Sequence, residues 1–135
     1  MRSGGPLLVL AAVVLVLAAC GSTTEKAFLP GPTAACLRQH KFDVSTTKGV
    51  PLAESAAANG GLRATPPERG NTLVIGFAAD EKDAGELRRS IRRLAPPRLR
   101  PRLGDIMSSS RNAVLVWTIS PTPAQQQTAL GCLST

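Results

Sequence analysis

The sequence predicts an α+β domain: a small antiparallel or mixed sheet of four or five strands with helices packed on one face. Three observations carry this. Residues 72–79 and 113–119 are apolar almost throughout and read as central strands. Each is preceded by a shorter strand candidate and a turn cluster, as in a hairpin. Helical patterns stand before, between and after these two units, most clearly over residues 81–94.

Taken in order, residues 21–32 read as a tether that holds the domain about 20 Å from its start. Thr33 is placed to cap a helix over residues 34–40. Residues 42–46 alternate apolar and polar, like a first strand, and residues 51–58 can form a helix that Asn59-Gly60-Gly61 would end. Residues 62–65 are a short strand, residues 66–71 a turn cluster, and residues 72–79 the first central strand.

In the helix that follows, Asp80 is the N-cap candidate, with Asp83 three residues on. Ala84, Leu87, Ile91 and Leu94 form one apolar stripe. Acids come early (Glu81, Asp83, Glu86) and arginines late (Arg88, Arg89, Arg92, Arg93), which complements the helix dipole. Pro96-Pro97 stops it. Residues 98–104 read as an Arg/Pro-rich connection, 105–109 as a strand, 110–112 as a turn and 113–119 as the second central strand. Residues 121–133 read as a last helix with Pro123 in its first turn and Ala124, Leu130, Cys132 and Leu133 as its apolar contacts.

The N-terminus has the parts of a secretory signal: Arg2, an apolar run from Leu7, then Ala18-Ala19. The run extends only 14 residues even when counted from Leu7 to Cys20, against roughly 20 for a transmembrane helix. Leu17-Ala18-Ala19-Cys20 resembles the lipobox of bacterial lipoproteins, and the composition is similar to that of small lipoproteins of GC-rich bacteria. The resemblance implies a signal peptide over residues 1–19 that is removed, and diacylglycerol on the Cys20 thiol. It implies palmitate-type acyl chains that hold the protein on the extracytoplasmic side of the cell membrane. Two such chains suffice for stable anchoring. An ordinary secretory signal, with Cys20 incidental, is the alternative. Gly21 is not an aspartate, so nothing here resembles an inner-membrane retention signal.

Cleavage would leave 116 of the 135 residues: the lipidated end and tether over 20–32, then one small α+β domain over 33–135. Arg2 is the only one of the 16 basic residues in the signal, so 15 face nine acids and the mature net charge is +6. Phe28, Phe42, Phe77 and Trp117 are the only aromatics, so the core must be mostly aliphatic. With Cys20 acylated, Cys36 and Cys132 remain. In an exported domain they are expected to form one disulfide joining the first helix to the last. Two buried free thiols are the alternative.

The most unusual feature of the mature chain is its basic run. Arg88, Arg89, Arg92, Arg93, Arg98, Arg100 and Arg102 fall within fifteen residues with no acid among them. Such a patch suits anionic lipid, an anionic wall polymer or an acidic envelope protein, or is simply a solvated face. Nucleic acid is not expected, since no aromatics interleave the run for base stacking. Cys36 and His40 share a helix face, but two ligands do not make a zinc site, so no metal or cofactor is expected. No Cys-x-x-Cys, Gly-x-Ser-x-Gly, Ser-x-x-Lys or Gly-x-Gly-x-x-Gly is present, and no catalytic residue is assigned. Asp43 and Asp105 are strand carboxylates that would matter only if they met in space. Trp117 reads as core. The expectation is therefore a non-enzymatic binding or structural module of the envelope. The alternative is a small envelope enzyme or redox-active protein. A transporter's ligand-binding component ranks last, because 116 residues are few for two lobes.

Overall fold

The computed structural model describes residues 25–46, 57–68 and 70–135. The expected signal, Cys20 and the first part of the expected tether lie outside the described residues. So does the expected helix over 51–58, except for Ala57 and Ala58, which sit ahead of the second strand.

The order is α1 (Pro30–Gln39), β1 (Asp43–Ser45), β2 (Gly61–Thr65), β3 (Leu73–Phe77), α2 (Glu81–Leu94), a 3-10 turn over Arg100–Arg102, α3 (Leu103–Ile106), β4 (Met107–Ser110), β5 (Ala113–Trp117) and α4 (Pro123–Gly131). The five strands form one antiparallel sheet in the order β1-β2-β3-β5-β4. This is the expected α+β class, with the two apolar runs as its central pair.

Register decides which side chains share a face. Ile75 lies opposite Leu62 and Leu115, and Leu73 opposite Ala64 and Trp117, so these six point one way. All six are buried; α1 packs against β1 and β2, and α4 meets this face where Gln126 bonds Trp117. The alternate residues Val74, Val114 and Val116 face the other way, toward the Ala84, Leu87 and Ile91 stripe of α2. The helices therefore pack on both faces, not on one as the sequence led us to expect. The reason is visible in β3 and β5: a strand apolar at every position has no solvated side to offer.

Helix α1 begins at Pro30, three residues before the expected cap, with no side-chain cap at its N-terminus. Thr33 is instead buried inside the helix, and its Oγ1 accepts from the Ser134 N–H at 3.1 Å. Residues 28–32 thus belong to the packed domain rather than to a tether. Phe28 is held by Asn112, which accepts its N–H at 2.7 Å and donates to its carbonyl at 3.0 Å, and the Arg111 guanidinium lies 4.2 Å from its ring centre.

Helix α1 closes in a Schellman motif. Phe42 N–H donates to the Leu37 carbonyl and Lys41 N–H to that of Arg38, with Lys41 at φ 65°. The buried Leu37 and Phe42 supply the accompanying apolar contact.

Helix α2 matches its sequence signals most closely. The Asp80 carboxylate accepts from the Asp83 N–H at 2.8 Å. Leu94, however, is 61% exposed, and Ala95 takes its place in the core. The stretch expected to be a connection and a strand over 98–109 instead makes the 3-10 turn and α3 before β4 starts at Met107. Ile119 lies beyond β5 and is exposed. In α4, Thr122 and Gln125 form a capping box. The buried positions of α4 are Gln125 and Ala129, followed by Cys132 and Leu133, while Ala124 and Leu130 are exposed.

Cys36 and Cys132 form the expected disulfide across 96 residues. Next to it, the Leu29 N–H donates to the Ser134 carbonyl at 2.8 Å, so both ends of the domain are fastened together.

One buried side chain ties three elements. Asn71 Oδ1 accepts from the N–H groups of Thr72 and Ile119, and Nδ2 donates to the Ile119 carbonyl and to Gln125 Oε1. Replacing it with alanine leaves these groups unpaired at a 5% exposed site. Asn71→Ala should cost about 2–4 kcal/mol in urea unfolding, and a loss below about 0.5 kcal/mol would show that water replaces these bonds.

Candidate functional site

One cleft is built in large part by the stretch that the sequence presents as an Arg/Pro-rich connection. Helix α2 leaves the sheet at Ala95, Pro96-Pro97 turns the chain, and residues 99–106 wind back over the sheet. Leu99, Leu103 and Ile106 recur at i, i+4 and i+7, so this short segment presents one apolar edge. Between that edge, Ile91 of α2 and the sheet residues Val74 and Val116 lies a cleft of about 610 Å³. Ala95, Pro96, Trp117 and Thr118 complete its wall with Arg98 and Arg102. A few charged groups around an aliphatic pocket of this size is the usual form of a small-molecule site.

The structure divides the seven arginines among different tasks. Arg100 is structural: Nε donates to the Ala95 carbonyl at 3.0 Å and Nη2 to that of Arg93 at 3.3 Å, which satisfies the end of α2. Arg93 bonds the Ser90 hydroxyl at 3.3 Å. Arg89 stands 3.8 Å from Glu86, both well exposed, a pair worth little. Arg88 is half-buried, with its Nε enclosed and without a hydrogen-bond partner among the described residues, and Arg92 is exposed. Arg98 and Arg102 are exposed, line the cleft, and their side chains have no ion pair or hydrogen bond among the described residues. Only these two of the seven therefore meet the cleft.

The other candidates do not converge. Asp43 is on β1 and Asp105 on α3 just before β4, at opposite edges of the sheet, so the two carboxylates do not meet. His40 caps α1 and borders a recess of about 100 Å³ with Glu68 and Gln125. Its ring nitrogen and the sulfurs of Cys36 and Cys132 lie within 4.8 Å of one another, but both sulfurs are spent in the disulfide and offer no thiolate. Asp105 borders a separate recess of about 310 Å³ with Ser108 and Gln126. Trp117 is 2% exposed, and its Nε1–H donates to Gln126 Oε1 at 2.8 Å, so it belongs to the core as well as to the wall of the cleft.

Sequence reasoning found the arginines and missed the cleft. The missed lining residues are Val74, Leu99, Leu103, Ile106 and Val116. The i, i+4, i+7 spacing of Leu99, Leu103 and Ile106 was the available signal, hidden by Pro101 and the surrounding arginines. Among the described residues no helix is long and apolar enough to cross a membrane. No protein family matches the chain, and neither curated proteins nor solved structures show a significant similarity to it.

Proposed function

We propose that this chain is a lipid-anchored module on the extracytoplasmic side of a cell membrane that binds an anionic component of the envelope without transforming it. The anchor rests on the lipobox ending at Cys20. The observation that carries the binding role is the apolar cleft with Arg98 and Arg102 as its only charged lining residues among the described residues. The mature charge of +6 adds a long-range attraction to an anionic surface. Among the described residues no carboxylate or histidine lines this cleft beside the arginines, so its chemistry favours holding an anion over proton transfer.

Two measurements test the proposal. Metabolic labelling with a palmitate analogue should mark the wild-type chain but not Cys20→Ser; equal labelling of both contradicts the anchor. The mature chain with Cys20→Ser should float with vesicles containing anionic phospholipid and not with purely zwitterionic ones. Added salt should release it, because screening weakens exposed charge interactions. Equal recovery with both vesicle types contradicts the binding role.

A further inference from the structure

We infer that the cleft takes one long hydrocarbon chain whose anionic head rests on Arg98 and Arg102, so that its ligand is a single-chain amphiphile such as a long-chain carboxylate. This rests on the proposal that the cleft binds an anion, and it names the ligand class.

Three features carry it. The walls that would meet the chain are aliphatic: Val74, Ile91, Leu99, Leu103, Ile106 and Val116. A flat aromatic or sugar ring would find neither a stacking surface, since Trp117 is 2% exposed, nor a set of convergent hydrogen-bonding groups. The volume of about 610 Å³ lies within the range that encloses one small ligand. The charge is one-sided: both charged lining residues are arginines, both are exposed, and neither side chain is paired among the described residues. Guanidinium groups match a carboxylate or phosphate head in planar, bidentate geometry. An apolar interior with free cations on its solvent side is complementary to an acyl anion entering tail first.

The test is calorimetric titration of the mature Cys20→Ser chain, whose core cluster lies wholly within residues 28–133. The probes are alkyl carboxylates of increasing length, kept below micelle formation, and alkyltrimethylammonium ions of matched length. Affinity should rise about fourfold per added CH₂ until the cleft is full, and the ammonium series should bind far more weakly. Arg98→Ala with Arg102→Ala should weaken the carboxylates about 25-fold, at fivefold per arginine. Val116→Trp should block binding while the protein still melts cooperatively. Should that variant fail to fold, the length series and the head-group control decide alone. Binding independent of chain length, or equal binding of the ammonium ions, overturns the inference. If carboxylates fail but anionic vesicles still bind, only this inference falls. If neither binds, the proposed function falls with it.

Discussion

Replacing Cys36 and Cys132 together with alanine should lower the melting temperature of the mature domain by roughly 20 °C. The bridge spans 96 residues, and the chain-entropy model assigns about 4–5 kcal/mol to closing so long a loop. For a domain of this size each kcal/mol moves the midpoint by about 4–8 °C. The total stability of such domains is about 5–15 kcal/mol, so the variant keeps only part of its margin. The double substitution avoids an odd thiol. Cys132 is 1% exposed, which makes alanine preferable to serine because it adds no buried hydroxyl. The wild type under reductant should show a similar fall. If neither the variant nor reduction shifts the midpoint, the two ends of the domain are held by the Leu29–Ser134 and Thr33–Ser134 hydrogen bonds instead.

The second large effect belongs to Trp117. Its side chain is 2% exposed and sits opposite Leu73 on the sheet face that α4 meets. Its Nε1–H begins a short relay, because Gln126 accepts that bond at 2.8 Å and donates to the Ser108 hydroxyl at 2.9 Å. Trp117→Ala should cost about 3–5 kcal/mol, the usual range for emptying a buried aromatic site. Trp117→Phe separates the two contributions: it keeps most of the volume and removes the donor, and should cost about 1–1.5 kcal/mol more than packing alone. Denaturant unfolding of both variants checks this. An alanine variant within about 1 kcal/mol of wild type would mean that α4 closes over the gap.

How much was legible follows from the range of the interactions concerned. Helix α2 was readable because its signals are local: Asp80 caps within three residues, the stripe repeats within two turns, and Pro96 stops it. Leu94 and Ala95 lie about equally far from the axis of that stripe, so periodicity could not choose between them. Ala95 leaves helical dihedrals at φ −59°, ψ 138° and is the one that turns inward. The two central strands were readable from composition, but their being apolar on every residue should also have placed helices on both faces.

The site was less legible. Asp43 and Asp105 could be separated only by knowing the strand order. Asn71 and Asn112 look like ordinary turn residues, yet their bonds reach across 48, 54 and 84 positions. The basic run was obvious, but which arginines were free was not, because Arg100 is used on backbone carbonyls of its own neighbourhood. The fold-back of residues 99–106 over the sheet creates the cleft and assigns Arg98 and Arg102 to it.

The central claim is that this fold-back and the sheet behind it form the working surface. Hydrogen exchange on the mature Cys20→Ser chain, with and without anionic vesicles, tests it most directly. The account predicts slowed exchange over residues 91–106 and 113–118, with α1 and α4 unchanged. Protection confined to α1 and α4, or none on the cleft segments while the protein is vesicle-bound, would contradict it.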